Sequence, residues 1–106
     1  MSGWTTVASW QRLQTQGRAL ARVAGFELAI FHIEGQAFAI EDSCPHAGAS
    51  LCLGALSGST VQCRAHGLRF DVRTGAQPGC PEALKVRVFP LRITGDEVLA
   101  HLPDNS

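Results

Sequence analysis

From Arg18 to Leu102 the apolar residues recur mostly at every second position, in short runs broken by glycine, so the chain reads as strands joined by turns. Arg18 to Val23 places Ala19, Ala21 and Val23 on one face, and Gly25 breaks the run. In Phe26 to Ile33, Leu28, Ile30 and His32 share one face, and Glu27, Ala29, Phe31 and Ile33 share the other. Two largely apolar faces predict a central strand. Glu34-Gly35-Gln36 is a turn signal, and Ala37 to Ile40 returns as a hairpin whose exit leads toward Cys44. Ahead of these strands, Val7, Trp10 and Leu13 stand three apart, which predicts one or two helical turns with Ser9 as N-cap and Gly17 as terminator.

Further along, Gly48, Gly54 and Gly58 punctuate a loop-rich stretch with no room for a useful helix, and Thr60-Val61-Gln62 is a short strand entering Cys63. Leu68 to Val72 alternates and turns at Arg73-Thr74-Gly75, which predicts a second hairpin starting from the loop after Cys63. Gln77-Pro78-Gly79-Cys80-Pro81 is too rich in proline and glycine for a strand and reads as a stiff surface loop. Leu84, Val86 and Val88 alternate, and Glu97 to Leu102 follows the turn Thr94-Gly95-Asp96. The apolar parity shifts between Val88 and Leu91, which with Pro90 predicts an edge or a bulge. Pro103 to Ser106 reads as a frayed end. Seven or more short strands predict an all-β fold, a small antiparallel sandwich or barrel, and 106 residues fit one domain, 1–106.

Charge changes the picture mainly by exclusion. Nine Lys plus Arg balance nine Asp plus Glu, so no global field draws the chain to nucleic acid or to an anionic membrane surface. The N-terminus lacks a basic region followed by an apolar core, and no eighteen-residue apolar run occurs, so a cytoplasmic location is expected. In a reducing compartment the four cysteines are better read as metal ligands or thiols than as disulfides. Cys52 and Cys80 have no ligand-type partner at short spacing and read as thiols.

Cys44-Pro45-His46 and Cys63-Arg64-Ala65-His66, with a sixteen-residue spacer, supply two thiolates and two imidazoles. That donor set selects zinc or iron-sulfur chemistry over magnesium or calcium. A structural zinc knuckle commonly uses pairs of like ligands, whereas each pair here is mixed. Cys-x-His followed by Cys-x-x-His is the order of a Rieske [2Fe-2S] centre, in which two histidines replace two of the four cysteines on one iron. Cys44 and Cys63 are then expected on the inner iron, and His46 and His66 on the outer one. Two ferric ions, two sulfides and two thiolates sum to zero, so the neutral imidazoles make such a centre easier to reduce than an all-cysteine cluster. His32 and His101 lie in strands and read as surface or half-buried side chains, and Trp4 and Trp10 as core cover. Arg64, Arg69 and Arg73 near the second loop read equally as a solvated face or as steering for an acidic partner.

Cys44-Pro45-His46-Ala47-Gly48 and Cys63 to Asp71, followed by Thr74-Gly75, closely resemble bacterial Rieske-type ferredoxins. Glu41-Asp42, Gly54, Leu56, Pro81 and the Val-Arg-Val and Gly-Asp-Glu-Val patterns near the C-terminus extend the resemblance over nearly the whole chain. It implies the Rieske (ISP-like) form of the sandwich, with cluster-binding loops at about 43–50 and 62–69, a covering loop at about 77–82, and one [2Fe-2S] cluster held by Cys44, His46, Cys63 and His66. The respiratory branch carries a bridging cysteine in each loop, where this chain has Ala49 and Ala65. That branch also places Ser and Tyr hydroxyls near the sulfurs, where this chain has Leu68 and no tyrosine. Fewer donors to sulfur imply a potential toward the low end of the Rieske span, about −150 mV.

The resemblance also implies an electron-transfer protein, since similar oxygenase subunits continue into a larger iron domain and this sequence stops at Ser106. The expected partners are a flavin-dependent reductase and a terminal oxygenase such as an aromatic ring-hydroxylating dioxygenase, each docking transiently on a monomer. Small or apolar residues beside the histidines, Ala47, Gly48, Gly67, Leu68 and Pro78, suit brief encounters. Three alternatives stand beside this one: the small subunit of an assimilatory nitrite reductase, a structural zinc-binding interaction module, and a Rieske-like binding domain that does not cycle electrons.

Overall fold

The computed structural model describes residues 3–42, 54–63, 68–78 and 85–102. In chain order the elements are β1 (Gly3–Ser9), α1 (Trp10–Gln16), β2 (Arg18–Val23), β3 (Phe26–Ile33), β4 (Gln36–Glu41), β5 (Ala55–Ser57), β6 (Thr60–Gln62), β7 (Arg69–Asp71), β8 (Val88–Phe89), β9 (Leu91–Thr94) and β10 (Glu97–Leu102). They form three antiparallel sheets, ordered β1-β10-β9, β2-β3-β4-β8 and β5-β6-β7.

The alternation within β3 dictates how the sheets stack. Leu28 and Ile30 point to one side of the four-stranded sheet, where with Ala39 and Phe89 they meet Leu13 of α1 and Val98, Ala100 and Leu102 of β10. Ala29 and Phe31 point to the other side, where with Ile40 they meet Val61, Cys63, Phe70, Val72 and Val86. Residues Leu28 to Phe31 are fully buried, as the sequence pattern requires of a central strand. Burying a side chain the size of Phe31 is worth about 1.5–3 kcal/mol, so two such faces supply much of the drive to stack the sheets.

The helix has the expected caps. Ser9 is its N-cap, and Gly17 ends it at φ 84°, donating its N–H to the Leu13 carbonyl. In β2 the predicted face of Ala19, Ala21 and Val23 is the inward one. The β3–β4 hairpin turns at Glu34-Gly35, one residue shorter than expected, because Gln36 pairs with Ile33.

Several expectations need correction. Residues before Ser9 form β1, which pairs with β10 from the far end of the chain and leaves no periodicity to read locally. Ala55–Ser57 is a strand because it pairs with β6, although three residues carry too little pattern to show it. The second hairpin is β6–β7 and folds across the residues after Cys63. The turn after β7 leads no strand back onto it among the described residues, since β7 is an edge. The strand expected around Leu84 to Val88 is only Val88–Phe89, within the described residues. Of the edge or bulge expected at Pro90 the edge is what forms: the parity shift is a change of sheet, with β8 pairing with β4 at the edge of one sheet and β9 pairing with β10 at the edge of another. The expected frayed end, the remainder of the proline-rich loop beyond Pro78, and the helix-free reading of residues 43–53 lie outside the described residues.

Candidate metal centre

Of the four expected ligands the structure describes Cys63, while Cys44, His46 and His66 lie outside the described residues. Cys63 follows β6 directly and is 1% exposed, packed within the apolar cluster of Ala29, Phe31, Ile40, Val61, Phe70, Val72 and Val86. Its N–H donates to the Leu68 carbonyl at 2.6 Å, which closes the loop between β6 and β7 at its base. Val61 lies opposite Phe70 in that hairpin, and Leu68 packs against the same cluster. Strand pairing and apolar contact thus both fix the position of the thiol.

The first ligand pair follows β4. Ile40 shares the core with Cys63, so the roots of the two ligand segments converge on one cluster although Ile40 and Cys63 are far apart in sequence. Asp42 is buried, and its N–H donates to the Glu27 carbonyl at 2.9 Å, fixing the exit of β4 against β3. At the other end of residues 43–53, the Arg18 guanidinium donates to the Gly54 carbonyl at 2.7 Å. The sequence does not show either contact, because both acceptors are backbone carbonyls distant in sequence and Asp42 donates through its own backbone.

The proline-rich segment is tied to the same structure from its two ends. The Gly75 carbonyl accepts from the Val86 N–H at 3.0 Å, and the Asp71 N–H donates to the Ala76 carbonyl at 2.8 Å. Gly75 has φ 79°, and a Cβ there would run into the Val86 carbonyl oxygen and sit 2.9 Å from Val88 Cγ2. Glycine is thus required both by conformation and by space. Arg73 forks onto the Asp71 carboxylate, with Nη2 to Oδ2 at 3.1 Å, and this hydrogen bond holds the Asp71 carboxyl below its ordinary range.

The donor chemistry and the surroundings fit an iron-sulfur group. A thiol set in an apolar, strand-fixed shell keeps water from metal–sulfur bonds, and two thiolates with two imidazoles are the Rieske ligand set. His32 and His101 are half-buried, as expected, and each meets a tryptophan edge-on, Trp10 at 5.4 Å and Trp4 at 5.2 Å. Trp10 covers the core, but Trp4 does not: it is 38% exposed under the Arg92 guanidinium, 4.2 Å from the ring centroid. Arg69 and Arg73 are exposed, and Arg64 lies outside the described residues. A polar cavity of about 420 Å³ is lined by Glu34, Ser59 and Arg73. Those residues stand at the ends of β3, β6 and β7 away from the ligand segments, so the cavity is not the metal centre.

A family model described as the Rieske [2Fe-2S] domain matches residues 3–90. The anthranilate 1,2-dioxygenase ferredoxin subunit of Burkholderia cepacia is 37% identical over 99 residues, 88% of this chain and 92% of the relative. Among solved structures, the ferredoxin of carbazole 1,9a-dioxygenase from Nocardioides aromaticivorans IC177 superposes with a TM-score of 0.83 at 33% identity, over 93% of this chain and 97% of the other. A chain from a complex of reduced oxygenase and oxidised ferredoxin in carbazole 1,9a-dioxygenase matches with a TM-score of 0.81 at 31% identity, over 92% of each chain.

Proposed function

Because the chain belongs to the Rieske [2Fe-2S] domain family, we propose that it is the ferredoxin of a ring-hydroxylating dioxygenase system, a one-electron carrier and not itself an enzyme. The observation that carries this reading is Cys63, buried at the mouth of the β6–β7 hairpin and sharing one core with the strand that leads to Cys44 and His46. Cys44 and Cys63 would hold one iron of a single Rieske-type cluster, and His46 and His66 the other. Bound there, the cluster supplies a one-electron redox couple.

The rest of the work belongs to the chain. Val61, Phe70 and Val72 exclude water beneath Cys63, and the bond from the Cys63 N–H to the Leu68 carbonyl fixes the loop that bears His66 at its base. Strands on both sides keep the sulfur in place, which limits the rearrangement needed at each electron transfer. Leu68 and exposed Pro78, with Ala47, Gly48 and Gly67, would present a small apolar docking face.

The solved oxygenase–ferredoxin complex supports a terminal oxygenase as the electron acceptor. A flavin-dependent reductase is the donor that this role calls for, and brief encounters suit a monomer. Thiolates that must stay reduced until the cluster is inserted fit the cytoplasm; among the described residues no helix is long and apolar enough to cross a membrane. Pairing of β1 with β10 joins the two ends of the chain and supports residues 1–106 as one domain. The relatives are named as dioxygenase ferredoxins, which favours this reading over a nitrite reductase subunit or a zinc module.

Iron and acid-labile sulfide analysis tests the reading. The expected result is two of each per chain, with a visible colour that bleaches reversibly on dithionite. One zinc without sulfide would contradict it.

A further inference from the structure

Two exposed arginines pair with carboxylates, Arg22 with Glu27 at 3.4 Å and Arg73 with Asp71 at 3.1 Å. Two others, Arg87 and Arg92, have no ion pair among the described residues and lie over aromatic rings instead. Arg87 stands 5.7 Å from the centroid of Phe26, and Arg92 stands 4.2 Å from that of Trp4. Both rings flank one groove. Val88, Phe89 and Pro90, at the change of sheet between β8 and β9, line an apolar cavity of about 310 Å³ that also takes in Arg87 and His101. Phe26 meets Phe89 edge-on at 5.7 Å, and His101 meets Trp4 edge-on at 5.2 Å. The His101 N–H donates to the Pro90 carbonyl at 3.0 Å, which joins the two sides.

Among the described residues no carboxylate lines this groove, and Glu97, on the same strand as His101, is taken up by the Thr6 hydroxyl at 3.0 Å. The whole chain balances its charges, so the excess of cations here is local. A guanidinium lying face-on to a ring keeps its N–H edge free, and that edge is the fork that fits a carboxylate. Two such forks with an apolar floor between them match an extended segment whose carboxylates flank an apolar side chain. We propose that this groove is a docking surface for an acidic protein segment, with Arg87 and Arg92 taking carboxylates and the floor of Val88, Phe89 and Pro90 taking the apolar side chain. It shares no residue with the docking face around Leu68 and Pro78 and does not rest on the metal centre, so substitution can test it separately.

The test titrates purified holoprotein into labelled peptides of alternating Glu and Leu, Glu and Ser, or Lys and Leu, and reads fluorescence anisotropy. The wild type is expected to bind the Glu-Leu peptide more tightly than either of the others. Arg87→Gln and Arg92→Gln should each weaken that binding about threefold, and the double variant about tenfold. Arg87→Lys and Arg92→Lys keep the charge without the fork and should fall between wild type and the Gln variants. Arg12→Gln, an exposed arginine on α1, should change nothing. Wild type that binds none of the peptides, a double variant that binds as wild type does, or a Glu-Ser peptide that binds as tightly as Glu-Leu would overturn the proposal. Binding abolished by excess succinate would assign the groove to a small dicarboxylate and would overturn it as well.

Discussion

Cys63 is held by the strand that precedes it, by its own N–H bond across the loop and by the core around it, which suits the ligand role proposed for it. The proposed ligands stand out in the sequence because their chemistry is local: Cys-x-His and Cys-x-x-His place each pair within a few residues. Arg18 was not legible, since its acceptor is a backbone carbonyl 36 residues away that any residue type could provide. His66→Cys, if folded, exchanges a neutral ligand for an anionic one and is expected to lower the reduction potential; an unchanged potential in voltammetry would count against His66 as a ligand. Gly75→Ala forces a side chain onto the Val86 carbonyl at a positive φ, and Val86 belongs to the core around Cys63. Chemical denaturation should show a loss of more than about 2 kcal/mol.

At the scale of elements, α1 shows what a pattern can and cannot say. Ser9 as N-cap and Gly17 as C-cap were readable, but the second half of the cap comes from the β9–β10 turn. Asp96 accepts from the Ser9 hydroxyl at 2.7 Å and from the Gln11 N–H at 2.8 Å, and its carbonyl accepts from the Trp10 N–H at 2.7 Å. The Ser9 bond and then the Gln11 bond hold the Asp96 carboxyl below its ordinary range, as Arg73 does for Asp71. Carboxyls with lowered values in the folded state add stability that is full above about pH 4, the ordinary Asp value, and is lost as pH falls through the lowered values. Thermal denaturation of the wild type should thus weaken below that pH, and Asp96→Asn should flatten part of the decline. A decline identical in wild type and Asp96→Asn would show that this turn contributes nothing to it. Pro90 carries the complementary lesson. The parity shift beside it was visible, but whether a shift marks a bulge or a change of sheet depends on which strands lie opposite, here β4 for Val88 and β10 for Leu91.

For the whole molecule, β3 is the element on which both halves depend. Its two buried faces divide the interior into a core shared with α1 and β10 and a core shared with the β5-β6-β7 sheet, and the second of these carries the thiol. The all-β class and the central strand followed from alternation alone. The three-sheet stacking did not, because β1, β5 and β8 are defined by partners and not by their own pattern. The resulting plan is a base of stacked sheets, the roots of the two segments proposed to carry the ligands on one core, and a third segment anchored at Gly75 and Val86. It suits a carrier that must accept and release an electron with little movement. The most direct test is a low-temperature EPR spectrum of the dithionite-reduced protein. The account predicts one unpaired electron per chain with the average g value of mixed His/Cys ligation; a spectrum with the average g value of four-cysteine ligation, or no signal from fully loaded protein, would contradict it.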